Sequence, residues 1–387
     1  FSFILDEFYR LAQRGINVHV IRSKIGKDFL SHGIHFHGIE KGFDFKAFSS
    51  ILKSLMTYPL ISIVRKPPLV YQENLYVANI LRVMKNNNVD LIHSHFAHYE
   101  GLVGLLVKKR TRRPLVVTVH GHDILIEPSV RYGARLSKRI NIIVKRVLNE
   151  ADAIIAASTA TFIEACKIVH SADKVHLIPN GVDTNKFRPD IDSSHLKRVL
   201  NIRDETTVVF TLRSHEPQYG IEYLIKAIPL VLKGERDILF IIGGDGSLRQ
   251  YHEELVQKLG VKEKVIFTGR ISRNEVPYYY AMSNIVVVPS LQEAFGLVIS
   301  EAMSSGKPVI GSKVGGIPDQ IIHGYNGFLV QPRNPEEIAE KIVWLIENPE
   351  KAKQMGRNGR ILAEEKFNID RRIDRIIQLY KEVLRKY

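Results

Sequence analysis

Residues 290–316 read SLQEAFGLVISEAMSSGKPVIGSKVGG, the stretch of the chain richest in groups that could handle a charged ligand. Glu293 lies in a polar loop after the apolar run IVVVP. Phe295-Gly296 then turns the chain into LVISEAMSS, which has helical character as far as Gly306. A helix that starts straight after a glycine offers unpaired backbone N–H groups and the positive end of its dipole, which together suit a diphosphate. Glu293, ahead of that helix, could reach a sugar beyond the phosphates. Glu301, in its second turn, could accept hydrogen bonds from ribose hydroxyls behind them. Gly315-Gly316, after the next apolar run, makes a second loop where the backbone can approach a ligand closely. The spacing alone fits equally well a glycine-bounded helix with two solvent-facing glutamates.

Elements able to position such residues recur along the chain. Short β-branched runs alternate with helical patterns, which predicts βα units with parallel sheets buried on both faces. The first half offers strands at 17–21, 90–95, 114–120, 153–158 and 174–179. The second half offers them at 207–212, 237–243, 264–269, 285–289, 308–312 and 327–330. Two doubly wound α/β domains follow, with ligands expected at the carboxyl ends of their strands. At 387 residues the chain is long enough for two cores. The turn-rich NGVDTNKFRPD marks the junction, which gives domains of 1–185 and 186–367. The amphipathic stretch 368–387 is expected as a helix crossing back to the first domain.

Composition narrows the field. With 45% hydrophobic and 25% charged residues the chain is an ordinary globular one. Its single cysteine, Cys166, sits in an apolar helical pattern; it excludes a disulfide framework and fits a reducing cytosol. No apolar run reaches the ~20 residues needed to span a bilayer. The net charge of +14 is uneven: residues 1–187 carry 26 Lys and Arg against 15 Asp and Glu. Residues 103–146 alone carry eleven basic and two acidic side chains, which implies an anionic partner for the first half or a solvated basic surface. Residues 46–66, apolar with lysine and arginine but no acid, read either as an interfacial helix on a membrane or as a buried connector.

The 290–316 stretch resembles the E-x7-E signature of the retaining family 4 (group 1) glycosyltransferases, which have the GT-B fold of two Rossmann-like domains facing across a cleft. TVHGHD (118–123), IPNGVD (178–183), IIGGDG (241–246), FTGR (267–270) and NGFLV (326–330) stand in the family's order. The resemblance implies that Glu293 lies by the transferred sugar and Glu301 binds the donor ribose. It further implies that backbone amides of Phe295, Gly296 and Leu297 hold the diphosphate. Arg213 matches the arginine that neutralises the leaving phosphate, and His120 a first-domain histidine that reaches the donor sugar. Arg270 and Ile271 match the position that reads the base. Gly243, Gly244, His122 and Asp123 are expected to line the cleft. No metal and no cofactor are implied beyond the nucleotide-sugar co-substrate, with UDP expected ahead of GDP.

Two departures stand out. The family places a lysine shortly after the arginine, whereas this chain reads RSHEPQYG, with Gln218 or Tyr219 at that point; His215 is one candidate for the missing cation. The family's opening strand and glycine-rich loop are expected before FSFILDEFYRLAQRG, so a short N-terminal piece is expected to be missing. The histidines His93, His95, His98, His120 and His122 with Asp123 read either as a metal site or, the preferred reading, as polar lining at strand ends. There is no G-x-S-x-G elbow, and IIGGDG lacks dinucleotide-site spacing. The expected function is therefore a retaining hexosyltransferase, cytoplasmic and peripheral on the cytosolic membrane face. It would act on a glycan or lipid-linked acceptor, with no nucleic-acid role. The alternatives are a sugar-nucleotide 2-epimerase and a degenerate nucleotide-sugar-binding scaffold subunit.

Overall fold

The computed structural model describes residues 2–21, 27–39, 67–234 and 237–387. The segment 46–66 lies outside the described residues. The chain divides into two compact units, Phe1–Ile178 with Arg372–Tyr387, and Pro179–Arg371. The division falls ahead of the expected 185/186 because the NGVD segment packs on the second unit. Val182 bridges Asn368, and a Cβ on Gly181 would stand 2.4 Å from the Ile369 Cα.

The second unit is a six-stranded parallel sheet in the order β10-β9-β8-β11-β12-β13. Its strands are β8 (Thr207–Leu212), β9 (Ile238–Gly243), β10 (Val265–Gly269), β11 (Ile285–Val288), β12 (Val309–Ser312) and β13 (Gly327–Val330). The order reverses between β8 and β11, the doubly wound arrangement whose switch point receives ligands. Val209, Phe240, Val287 and Ile310 are inaccessible to solvent and form one core with Ile225 and Ile228 of the helix Ile221–Leu232 and Ile342 of the helix Pro335–Glu347. Burial on both faces is why these strands read as unbroken apolar runs.

The first unit holds a four-stranded parallel sheet, β4 (Ile92–His95), β5 (Leu115–Val119), β6 (Ala153–Ala156) and β7 (Val175–Leu177), in that order. A separate three-stranded sheet joins β1 (Val18–Ile21), β3 (Ile34–His37) and β2 (Phe29–Ser31). The β2–β3 pair is antiparallel, against the expectation of parallel sheets alone. His32 and Gly33 turn it with φ of 50° and 78°, the left-handed pair that a two-residue hairpin requires.

The last helix, Ile369–Leu384, places Arg372 within the first unit. There Arg372 Nη2 and Nε bond Glu7 Oε2 at 2.9 and 3.0 Å, and Nη1 donates to the Ile178 carbonyl at 2.6 Å. Both charged side chains are buried. No helix among the described residues is long and apolar enough to cross a membrane.

Candidate active site

The carboxyl ends of β8 and β11 flank the point where the strand order reverses, and each delivers a charged side chain. Arg213 follows β8, and its backbone N–H bonds the Gly243 carbonyl at 3.0 Å. Its guanidinium is buried, with Nη2 donating to Ser290 Oγ at 3.0 Å and ion-paired to Glu293 Oε2. Residues 80 positions apart in sequence thus form one charged pair. The Arg213 guanidinium carbon lies 4.2 Å from the centre of the Tyr219 ring. Tyr219, one of the two residues expected at the lysine's place, thus offers a flat π surface to the arginine. The turn that carries it is clamped to the next strand end, since the Gln218 carbonyl accepts the N–H groups of Leu291 and Gln292 at 2.8 and 3.1 Å.

Glycines make this convergence possible. Gly244, at φ 114°, brings its Cα so close to β8 that a Cβ would stand 1.8 Å from the Arg213 carbonyl oxygen. A Cβ on Gly315, at φ 53°, would stand 1.7 Å from the Glu293 carbonyl oxygen. The Gly316 N–H donates to that same oxygen at 3.1 Å. The second glycine loop thus supports the Glu293 backbone.

Gly296 adopts φ 85° and caps the helix Leu297–Ser304, with no side chain closing its amino end. Among the described residues no hydrogen bond consumes the N–H groups of Phe295, Gly296 or Leu297. These are the orphan donors expected at a helix start. In the second turn of the helix, Glu301 accepts a hydrogen bond from the buried Tyr280 hydroxyl at 3.0 Å. Burial raises its carboxyl to about 7, against the pull of that bond and of nearby Arg273 and Lys186. Arg270 follows β10, two strands from Arg213; its side chain is 86% exposed, with Nε 3.6 Å from Asp245. Ile271 beside it packs toward Gly243, where a Cβ would meet the Ile271 Cδ1 at 2.8 Å.

Two expectations need correction. His215 cannot stand in for the missing lysine: it is buried against His252, Nδ1 to Nδ1 at 2.9 Å. Burial, then Arg249, pushes it down to about 4, so it is neutral at pH 7. Asp123 does not line an open surface, because its side chain is fully buried. Its carboxylate accepts the backbone N–H groups of Ala97, His120 and Gly121 at 2.8, 2.9 and 3.0 Å. It is the knot that fixes the turn presenting His120 and the exposed His122.

His93, His95 and His120 of the first unit form a stacked column. His95 Nδ1 meets His120 Nε2 at 3.0 Å, and the two rings stack at 5.2 Å. His93 uses both ring nitrogens, on the Tyr380 hydroxyl at 2.6 Å and Thr118 Oγ1 at 2.7 Å. Burial, then neighbouring His95 and Arg372, holds His120 well below the ordinary histidine range, which makes it a neutral imidazole. His98 Nδ1 caps the helix Tyr99–Thr111 by accepting the Tyr99 N–H. Ligand atoms of Glu7, His93 and His95 lie within 4.8 Å of one another. Glu7 Oε2 is committed to Arg372 and the His93 nitrogens to their own partners, while Glu7 Oε1 lies 3.6 Å from His95 Nε2.

The family described as "Glycosyl transferases group 1" matches residues 192–362, and "Glycosyltransferase Family 4" matches residues 3–186. An uncharacterized glycosyltransferase of Methanocaldococcus jannaschii is 31% identical over 312 residues, 78% of this chain and 77% of that protein. The structure of sucrose-phosphate synthase from Thermosynechococcus elongatus superposes with a TM-score of 0.81 at 23% identity, covering 100% of this chain and 94% of that one. Anabaena HepE, solved in complex with UDP, gives a TM-score of 0.71 at 28% identity over 82% of this chain and 84% of that one. The chain belongs to the group 1, family 4 glycosyltransferases and has their GT-B type of α/β fold. Its class is glycosyltransferase with a nucleotide-sugar donor.

Proposed function

We propose that this chain is a retaining glycosyltransferase that moves a hexose-type sugar from UDP, with GDP the next candidate, to a glycan or lipid-linked acceptor. The observation that carries the reading is the meeting of Arg213, Glu293 and three unspent backbone N–H groups where the strand order reverses. As the glycosidic bond breaks, negative charge grows on the diphosphate. A fixed guanidinium and helix-end amides are pre-aimed to stabilise it without a metal ion. Donor entry exchanges the Arg213–Glu293 pair for two new contacts, Arg213 on the phosphate and Glu293 on the sugar hydroxyls. The acceptor oxygen bonds the anomeric carbon while its proton passes to the departing phosphate oxygen on the same face, which retains configuration.

Glu301 binds the ribose, Arg270 and Ile271 read the base through their backbone, and Gly243 and Gly244 line the donor site. His120 offers the sugar a neutral imidazole, with His122 beside it. The acceptor reading rests on surface charge, and that charge is thinner than the sequence suggests. Lys108, Lys109, Arg135 and Arg146 pair with Asp152, Glu150 or Glu164. The exposed cations Arg131, Lys138, Arg139 and Lys145, beside exposed Leu136 and Ile142, remain to meet anionic lipid at the cytosolic membrane face. The UDP bound by HepE supports the choice of base.

Thermal-shift screening against UDP, GDP and ADP sugars identifies the donor, and NMR of the transferred sugar reads its anomeric configuration. Glu293→Ala should remove most turnover; full activity in that variant, or an inverted product, would defeat the reading.

A further inference from the structure

The donor-phosphate reading depends on which way two peptide groups face, and a side chain outside the E-x7-E stretch controls the first of them. Gln320 follows the short 3₁₀ turn Ile317–Asp319 and is 1% exposed. Its Nε2 donates to the Phe295 carbonyl at 2.5 Å and to the Gly296 carbonyl at 3.3 Å. Its Oε1 accepts from Ser300 Oγ at 2.5 Å, one turn into the helix that follows. From behind, the Gln320 main-chain carbonyl accepts from Asn326 Nδ2 at 3.0 Å, and Asn326 Oδ1 is fixed by the Ile322 N–H at 2.7 Å. Ser300 and Asn326 are fully buried, so the network has no water to compete with it.

In a planar trans peptide the C=O and the following N–H point in opposite directions. Tying down the Phe295 oxygen therefore aims the Gly296 N–H, whereas the Gly296 oxygen also accepts the Ile299 N–H at 2.9 Å, so the helix's own first turn already aims the Leu297 N–H. Without the Gln320 tie, glycine leaves the Phe295–Gly296 peptide free to turn, because its φ of 85° costs it nothing and alternative conformations are equally open. A turned peptide would present a carbonyl oxygen, not a donor, to the phosphate.

We propose that Gln320 is a positioning residue of the donor site, holding the Phe295 carbonyl back so that the Gly296 N–H helps select a nucleoside diphosphate over the bare nucleoside. The inference rests on the donor reading above. Calorimetry on the full chain would compare UDP with uridine for wild type, Gln320→Leu, Gln320→Glu and Ser300→Ala, with kcat and KM for the sugar donor alongside. Gln320→Leu and Gln320→Glu should each weaken UDP about tenfold or more while changing uridine less than about twofold. Donor KM should rise in step. Ser300→Ala keeps the amide but frees its oxygen, and should show a smaller loss of the same kind; it also serves if the Gln320 variants do not fold. Equal losses for UDP and uridine, or no loss for either, would overturn the proposal while leaving the donor reading intact. Failure of the wild type to bind UDP, GDP or ADP would overturn both.

Discussion

Raising the pH through 7 charges a carboxyl that burial keeps half neutral, and Glu301→Gln isolates what that charge does. The shift of Glu301 from 4.5 to about 7 comes first from desolvation, with Tyr280, Arg273 and Lys186 pulling the other way. If ribose hydroxyls donate to this carboxylate, donor binding needs the ionised form. Between pH 6 and pH 8 the ionised fraction climbs from about a tenth to about nine tenths, so affinity should rise about tenfold. The UDP phosphate titrates in the same region. The measurable quantity is therefore the ratio of the two dissociation constants in wild type divided by the same ratio in Glu301→Gln. Stability should move the opposite way. A folded-state value above the unfolded one means that the native state binds the extra proton. Stability is then fullest below about 4.5 and falls as pH rises through 7, by up to ~3 kcal/mol at this residue. Denaturant unfolding should show Glu301→Gln gaining on wild type at pH 8 and not at pH 5. A UDP ratio identical in both proteins would refute the ribose role, and parallel stability curves would refute the burial argument.

The Tyr219 ring supports the Arg213 guanidinium from 4.2 Å. Tyr219→Ala should lower kcat/KM about five- to thirtyfold, the loss of ~1–2 kcal/mol of cation–π support, while Tyr219→Phe stays within twofold of wild type. Arg372→Met leaves the buried Glu7 carboxylate without its partner. It should cost ~3–5 kcal/mol in chemical unfolding, and Glu7→Gln added to it should recover much of the loss.

The sequence made the scaffold of the second unit legible because a parallel sheet covered on both faces advertises itself as apolar runs. β8 and β13 fall on the predicted residues, β9, β10 and β12 begin one residue later than expected, and β11 ends one residue earlier. β2 and β3 escaped notice. Each is three or four residues long, Phe29 and Leu30 of β2 are exposed, and histidines interrupt the apolar pattern of β3. Their one local signal was His32-Gly33. Within the site, residue type and order pointed to Glu293, Glu301 and Arg213, but not to what holds them. Ser290, Tyr280 and Gln320 act through hydrogen bonds to residues 20 or more positions away. No spacing rule links such pairs. The errors at His215 and Asp123 share one cause. A polar residue beside a strand end was read as facing a ligand, whereas burial makes the first neutral and turns the second back onto its own loop's amides.

The clasp between Glu7 and Arg372 joins residues 365 positions apart and bears on how the chain is made. The second unit is one continuous stretch, Pro179–Arg371, able to fold as soon as it has left the ribosome. The first unit is begun earlier yet finished later, because its closing helix and the counter-charge for a buried acid are translated after the second unit. During synthesis the nascent first unit must therefore wait, its Glu7 carboxylate still without Arg372, while the stretch that separates its two parts in sequence folds.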